Sequence, residues 1–210
     1  MEPVANRWTM PGRQDNLQRA EALGFAALAT QTPDQFLWLG AIATGTSWRL
    51  PVLDDAMLVD LAAKRITVTS GQEVGPAWRI LALHYLAITA RPERLDPQIT
   101  FADLPGGRTY SSVYQQRAIA RLCATAGRDE QRMRSAALAL GGSEATGGDV
   151  AFDFAVFPRL GLRAIWHARD DEFPPSATLL LPSNIESYFC IEDIVVLSER
   201  LVSRLGGGRF

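Results

Sequence analysis

The chain has 210 residues, 47% hydrophobic and 21% charged, and its 21 basic and 23 acidic side chains give a formal charge of −2. Folding at this length buries roughly 70% of the unfolded surface, so the core needs no disulfide or metal. The near-neutral balance lacks the basic excess that attracts nucleic acid or anionic membranes, so neither partner is expected.

The first third of the chain predicts a helix followed by short strands. Apolar residues recur at helical intervals over Gln14–Ala29, and Thr32-Pro33 ends the pattern. Gly45 is expected to turn the chain between two strands. The predicted strands are Phe36–Ile42, Ser47–Leu50 and Arg65–Thr69, and a short helix is predicted over Asp54–Ala63.

The segment Pro76–Ala90 is apolar on nearly every side, which predicts a central helix buried on all faces. Its longest apolar run is well short of the ~20 residues that cross a bilayer, so no membrane span is expected. His84 lies within it and must either find a hydrogen-bond partner or face a cavity. Both a satisfied core histidine and a pocket-lining axial ligand or proton carrier fit this position.

Two further helices are predicted in the middle of the chain, after a turn at Leu104–Gly107. Ser112 and Gln115 have the spacing of a capping box at the start of the first helix. The second helix, Arg128–Leu140, ends at the glycine pair Gly141-Gly142. The first helix is expected to bury Tyr114, Ala118, Ile119 and Leu122.

The hydrophobic period changes to two from Val150 onward, which predicts an antiparallel meander of about three strands. A closing amphipathic helix from Ile191 to Leu205 carries Glu192 and Asp193 in its first turn, where acids complement the macrodipole. The predicted class is α+β, an antiparallel sheet packed with several helices. We expect one domain over residues 1–210, with its N-terminal helix and short strands in 13–70 and disordered tails at 1–12 and 206–210.

The loop after the second meander strand contains three successive carboxylates, Asp170, Asp171 and Glu172. Like charges in a row repel unless an arginine, a cation or solvent compensates. A solvated or arginine-paired loop, a ligand or partner site, and a metal or acid–base site are all open readings. In the glycine-rich stretch before the meander, the residues after Gly147 are Gly148 and Asp149 rather than a P-loop Lys and Ser, so Asp149 is expected to cap or pair locally.

Several catalytic and metal signatures are missing from the sequence. The single lysine, Lys64, follows no glycine loop, no Gly-x-Ser-x-Gly elbow is present, and the two cysteines and two histidines do not have zinc-site spacing. Unpaired cysteine spacing and the absence of an apolar leader in residues 1–8 favour a cytoplasmic location.

A series of short motifs follows along the chain: His84-Tyr85-Leu86, Asp103–Gly107, Tyr110, Arg117, Gly141-Gly142, Gly148-Asp149, Pro158, Trp166, Asp170–Pro174 and Glu192-Asp193. In this order they resemble the motifs of an uncharacterised domain-of-unknown-function family, the 3786 family, which is common in anaerobic bacteria and archaea. The resemblance covers roughly residues 76–205. The spacer between Trp166 and Asp170 is one residue longer than in the family pattern, and Leu181-Pro182 replaces Phe-Asp.

The resemblance implies a setting in anaerobic metabolism but no activity. Some relatives accompany iron–sulfur and corrinoid metabolism, which implies a tetrapyrrole-like cofactor with His84 or His167 as axial ligand and with tryptophans and arginines around the ring. The chain has no cysteine cluster for an iron–sulfur centre of its own.

Two principal hypotheses about function follow. In the first, the chain is a cytoplasmic binding or accessory protein that holds a cofactor, metabolite or partner protein in a pocket. In the second, it is an enzyme in which Asp170, Asp171 or Glu172 acts as acid–base group or binds a metal, assisted by a histidine. A third reading is an interaction module with an exposed apolar face on the last helix. The candidate ligand-binding residues are His84, Tyr85, Arg117, Asp149, Arg159, Trp166, Asp170, Asp171 and Glu172.

Overall fold

The computed structural model describes residues 13–93 and 97–210, and the predicted tail 1–12 lies outside this part of the chain. Its first half contains α1 (Arg13–Ala29), α2 (Pro33–Trp38), β1 (Ile42–Thr44), β2 (Ser47–Val52), β3 (Asp55–Asp60), β4 (Arg65–Val68) and α3 (Pro76–Leu86). The second half contains β5 (Pro97–Thr100), α4 (Gly107–Tyr114), a π-helical segment (Gln115–Ile119), α5 (Ala120–Ala124), α6 (Glu130–Ala139), β6 (Ser143–Glu144), β7 (Val150–Phe157), β8 (Leu160–His167), β9 (Ser176–Pro182) and α7 (Ile191–Leu205).

The strands form two antiparallel sheets, which confirms the α+β class. The N-terminal sheet is a meander in the order β1-β2-β3-β4, and the C-terminal sheet has the order β5-β9-β8-β7-β6. The predicted three-strand meander is therefore the centre of a larger sheet. The main-chain N–H of Leu53 donates to the carbonyl oxygen of Ala155 at 3.2 Å, which joins the two sheets. Apolar residues of both sheets and of the helices form one continuous core.

Helix α3 is central, with α1 and α7 packed against it. Pro76 occupies its first turn, where a missing N–H costs nothing. The helix ends at Leu86, and the freed carbonyl groups there need partners from elsewhere. Gln31 donates to the carbonyl oxygens of Leu86 and Ile88. The helix is buried except for a strip of partly exposed residues that includes Arg79 and His84.

Two predictions in the N-terminal region were wrong. Phe36–Ile42 is not a strand, because Thr32 accepts a hydrogen bond from the N–H of Gln35 and caps a short helix with Pro33 in its first turn. Asp54–Ala63 is not a helix, because Leu53 adopts a left-handed φ of 52° and turns the chain into the hairpin of β2 and β3.

Other predictions were confirmed or need adjustment in detail. Gly45 has a φ of 58° in the β1–β2 turn, and Gly141 has a φ of 75° after α6. The capping box predicted at Ser112 and Gln115 was wrong, because the helix already begins at Gly107. The carboxylate of Asp103 instead accepts from the N–H and hydroxyl of Thr100, before a single 3₁₀ turn.

The apolar stripe of α7 faces inward, which excludes the reading of this stripe as an exposed interaction face. Leu201 is completely buried, as are the other stripe residues around it. The last residues, expected to form a disordered tail, fold back onto the core. The centroid of the Phe210 ring lies 5.2 Å from that of Trp78. The guanidinium carbon of Arg204 lies 4.1 Å from the centroid of the Phe210 ring.

Candidate functional site

The side chains of His84 and Asp193 meet where α3 lies beside the start of α7. His84 Nδ1 is 2.8 Å from Asp193 Oδ2, although the two residues are 109 positions apart in the chain. The His84 side chain is 37% exposed and that of Asp193 is 15% exposed, so the imidazole reaches solvent while the carboxylate lies largely behind it. Nε2 of His84 has no hydrogen-bond partner among the described residues.

Asp193 determines both the orientation and the protonation of this imidazole. The hydrogen bond to the carboxylate, supported by its charge, raises the pKa of His84 above the ordinary 6.5, while partial burial opposes this effect. Nδ1 keeps its proton to donate to the carboxylate in either charge state. Protonation therefore changes Nε2 from a hydrogen-bond acceptor into a donor, with the ring held in place.

The surroundings of this pair bring together motifs that are distant in sequence. Cys190 precedes α7. Partial desolvation and the neighbouring Asp193 carboxylate raise the pKa of its thiol, so it is not an activated nucleophile. Gly106 of the Leu-Pro-Gly-Gly turn lies against Ile191, because a Cβ placed on it would be 3.4 Å from that side chain. The His84 motif, the glycine turn and the Glu192-Asp193 motif thus meet at one place.

Tyr85, the neighbour of His84, is a core residue that points away from this surface. Its buried hydroxyl donates to the carbonyl oxygen of Leu39 at 2.7 Å and accepts from the N–H of Arg159 at 3.1 Å. The Arg159 side chain donates to the carbonyl oxygen of Trp38 and stacks on that indole at 4.5 Å. Tyr85 and Arg159 are therefore hydrogen-bonded to each other. Their contacts connect α3 to the β7–β8 turn and to the end of α2.

Three further predicted residues each form a hydrogen bond with a partner that is distant in sequence. Arg117 forms an ion pair with Glu199 of α7 on the exposed side of the π-helical segment. Trp166 is buried, and its indole N–H donates to the carbonyl oxygen of Gly127 at 2.8 Å. Asp149 accepts a hydrogen bond from the main-chain N–H of Ala168, 19 positions further along the chain.

The acidic loop is exposed and is organised by its own backbone. One oxygen of Asp170 accepts from the N–H groups of Glu172 and Phe173, at 2.9 and 2.7 Å, and these bonds lower the pKa of Asp170. Asp171 and Glu172 are exposed. The cavity at this loop, about 320 Å³, is lined by residues 169–175. The loop is a solvated turn in which the Asp170 carboxylate accepts hydrogen bonds from the loop's own backbone.

The nine predicted residues therefore lie at several separate places in the structure and do not line one pocket. His84 alone presents an available ring nitrogen beside an oriented carboxylate. In the sequence, Asp193 stands out as an acid at a helix start and as part of the Glu192-Asp193 family motif. Its largely buried position beside His84 gives it a further role. The signal in the sequence that could have identified Asp193 as a site residue was the Glu192-Asp193 motif in the first turn of α7.

No group of three or more His, Cys, Asp or Glu side chains in the described part of the chain is arranged to hold a metal ion. A tetrapyrrole would fit the His84–Asp193 pair as axial ligand and supporting carboxylate. The rest of the ring site does not fit, because Trp166 is enclosed in the core and Arg159 and Arg117 are engaged elsewhere. The residues predicted to surround the ring and its propionates thus do not surround His84.

The fold and site define an α+β protein with a histidine–carboxylate pair at a junction of two helices. The chain belongs to the family described as Domain of unknown function (DUF3786), whose profile matches residues 38–204. No curated protein and no solved structure matches the chain. Among the helices of residues 13–93 and 97–210, none has the length and apolar character needed to cross a bilayer.

Proposed function

We propose that the chain is a cytoplasmic binding or accessory protein that holds a small molecule at His84. The observation that carries the proposal is the 2.8 Å hydrogen bond between His84 Nδ1 and Asp193, which leaves Nε2 as the free contact atom. An imidazole fixed at one nitrogen loses little entropy when the other nitrogen binds, so the pair is preorganised for a ligand.

The ligand class follows from the protonation state of His84. The raised pKa increases the fraction of imidazolium near neutral pH, in which Nε2 donates a hydrogen bond. A carboxylate or carbonyl oxygen is the matching acceptor. At higher pH the same nitrogen becomes an acceptor, so binding of an oxygen ligand weakens as pH rises through the pKa of His84.

A cytoplasmic location is supported by the cysteines. Cys123 and Cys190 are both free thiols, and Cys190 is exposed, a state that a reducing compartment preserves. The anaerobic setting that the resemblance implies remains part of the proposal, and in that setting a redox metabolite or cofactor fragment would be a suitable small molecule.

A second candidate is an enzyme in which His84 is a general base or acid. The observation that favours it is the same pair, since a carboxylate that orients Nδ1 is the arrangement found in catalytic triads. The acidic loop supports catalysis less, because Asp170 is committed to its own turn.

Native mass spectrometry of protein purified from an anaerobically grown source tests the binding proposal. We expect the wild type to retain a small-molecule adduct that is lost in His84→Gln and reduced in Asp193→Asn. Arg117→Gln is the matched control, because it removes the exposed ion pair with Glu199 and leaves His84 and Asp193 unchanged. This variant should retain the adduct. Equal retention by His84→Gln and wild type contradicts the proposal. A Soret band that disappears in His84→Gln would identify the small molecule as a tetrapyrrole.

A further inference from the structure

Strand β9 has an open edge over half of its length. It pairs with β8 from Ser176 to Leu180, but β5 covers its other side only from Leu180 to Pro182. After Thr100 the chain leaves the sheet in a 3₁₀ turn. Alternate residues of an antiparallel strand point their N–H and C=O groups to each side, so part of the backbone of residues 176–179 faces away from β8.

No hydrogen bond from another described segment closes this edge. Open strand edges are template sites for pairing with another chain, and natural proteins usually cover or charge them. The edge of β9 is instead bordered by a groove. Cavities of this groove are lined by residues 176–179 of β9, so the open edge borders it.

The groove lies between the start of β9 and the helical run of α4, the π-helical segment and α5. Its main cavity has a volume of about 670 Å³, and a smaller one of about 140 Å³ continues it along β9. The two share Gln115, Ile119 and Ala177. A π-helical segment in the wall is a feature that recurs at functional sites. The main cavity is lined by Ser112, Val113, Gln115, Gln116, Ile119, Ala120, Cys123, Pro175, Ser176 and Ala177.

Large apolar side chains are exposed around this groove. Val113 in its wall is 40% exposed, and Tyr110, one turn earlier on the same helix face, is 45% exposed. Phe173, in the loop that leads into Pro175, is 65% exposed. Exposed apolar groups beside an open strand edge are a recognition surface for apolar side chains.

The end of the groove next to Ser176 is acidic. The loop 169–175 carries three acids and one arginine, which gives it a charge of −2. The carboxylates of Asp171 and Glu172 form no ion pair within the described residues. Arg117, next in the chain to the groove residue Gln116, forms an ion pair with Glu199. A ligand with positive charge at this end therefore has complementary partners.

We propose that this groove is a docking site for an extended, apolar and basic segment of a partner protein, which adds as a strand to the free edge of β9. Strand addition satisfies the outward N–H and C=O groups of residues 176–179 over about 13 Å. Alternate apolar side chains contact Val113 and Ile119, and a basic residue at the segment's end lies beside Asp171 and Glu172. The site is separate from His84, so the two proposals stand or fall independently.

The first test is amide hydrogen exchange on the full chain. The outward N–H groups of residues 176–179 should exchange much faster than those of β8, and the protein should sediment as a species whose mass does not change with dilution. Protection of these amides in the free protein would overturn the proposal, because the edge would already be covered by a second copy or by residues 1–12.

The second test uses fluorescent peptides as probes. The peptides Arg-Arg-Val-Thr-Val-Thr-Val and Val-Thr-Val-Thr-Val-Arg-Arg, capped at both ends, cover both strand directions. We expect one of them to bind in fluorescence anisotropy and to slow exchange of the amides of residues 176–179. Replacing both arginines by glutamates should weaken binding at least fivefold. N-methylation of the valines in one peptide and of the threonines in another should abolish binding in whichever peptide has its methylated edge against β9, and only in that one.

Matched protein variants complete this test. Val113→Asp in the groove should weaken binding at least tenfold, and Asp171→Asn with Glu172→Gln at least fivefold. Leu138→Asp, at an exposed apolar residue of α6 outside the groove, is the control and should bind as the wild type does. The proposal is overturned by failure of both peptides to bind at 1 mM, by unchanged binding of both the valine-methylated and the threonine-methylated peptide, or by equal loss in Leu138→Asp.

Discussion

The indole of Trp166 closes directly over the backbone of Gly127, with its N–H 2.8 Å from the Gly127 carbonyl oxygen. A Cβ placed on Gly127 would lie 2.9 Å from two atoms of that indole, which is closer than packed side chains allow. This contact joins β8 to the turn between α5 and α6 and keeps a family-motif tryptophan in the core.

We predict that Gly127→Ala destabilises the fold by about 1–3 kcal/mol through overpacking. Trp166→Phe should cost about 1–3 kcal/mol because the buried Gly127 carbonyl loses its donor. Urea unfolding measures both values. Gly161→Ala is the control, since its added Cβ meets only one atom, at an ordinary 3.5 Å, and should change stability by less than about 0.5 kcal/mol. A Gly127→Ala protein as stable as wild type would contradict the contact.

The protonation of His84 should depend on Asp193. We predict that Asp193→Asn lowers the pKa of His84, because it removes both the charge and the acceptor that raise it. NMR titration of the imidazole signals measures this pKa, and His84→Gln assigns the signal, since the chain has only two histidines. An unchanged pKa in Asp193→Asn would show that the hydrogen bond is not formed in solution.

The same pair should make stability depend on pH. The folded-state pKa of His84 is above that of the unfolded chain, so its stabilisation is fully present below about pH 6.5 and is lost as pH rises through the raised value. We expect the melting temperature of the wild type to fall, relative to that of Asp193→Asn, as pH rises through this window. Parallel curves for the two proteins would contradict this linkage.

Tyr114 should influence stability at alkaline pH. Burial raises its pKa to about 12, although the hydrogen bond to Ser198, 3.1 Å long, partly opposes this. A raised phenol pKa stabilises the fold below about pH 10, and this contribution is lost between pH 10 and 12. Tyr114→Phe should cost about 0.5–1.5 kcal/mol near pH 7 and less above pH 11, as measured by urea unfolding. The exposed Tyr110→Phe serves as control and should show neither effect.

The final residue should contribute to stability despite its position beyond α7. Phe210→Ala removes the ring that packs between Trp78 and Arg204, and we expect a loss of about 1–2 kcal/mol. Arg209→Ala, at the exposed residue beside it, should be nearly neutral. Tryptophan fluorescence during urea unfolding reports both. Equal stability of Phe210→Ala and wild type would indicate that the segment 206–210 is detached in solution.

Local sequence patterns determined much of the secondary structure. The two-residue period over β7 and the amphipathic stripe of α7 each specify an element whose hydrophobic face must be buried. The hairpin at Leu53 could not be predicted, because a left-handed leucine has no sequence signal such as glycine or asparagine. Short apolar runs such as β3 fit a strand and a helix equally well, and only pairing with β2 and β4 selects the strand.

The sequence by itself determined the class of fold, the family motifs and the polar side chains set in apolar segments. Only the tertiary structure decided which of those side chains remain available to a ligand. Tyr85 and Trp166 satisfy their polar atoms inside the core, whereas His84 meets Asp193 at the surface. Hydrogen bonds between residues so far apart in the chain depend on how the helices pack against one another. The local pattern of a sequence does not specify which distant residues become neighbours in space.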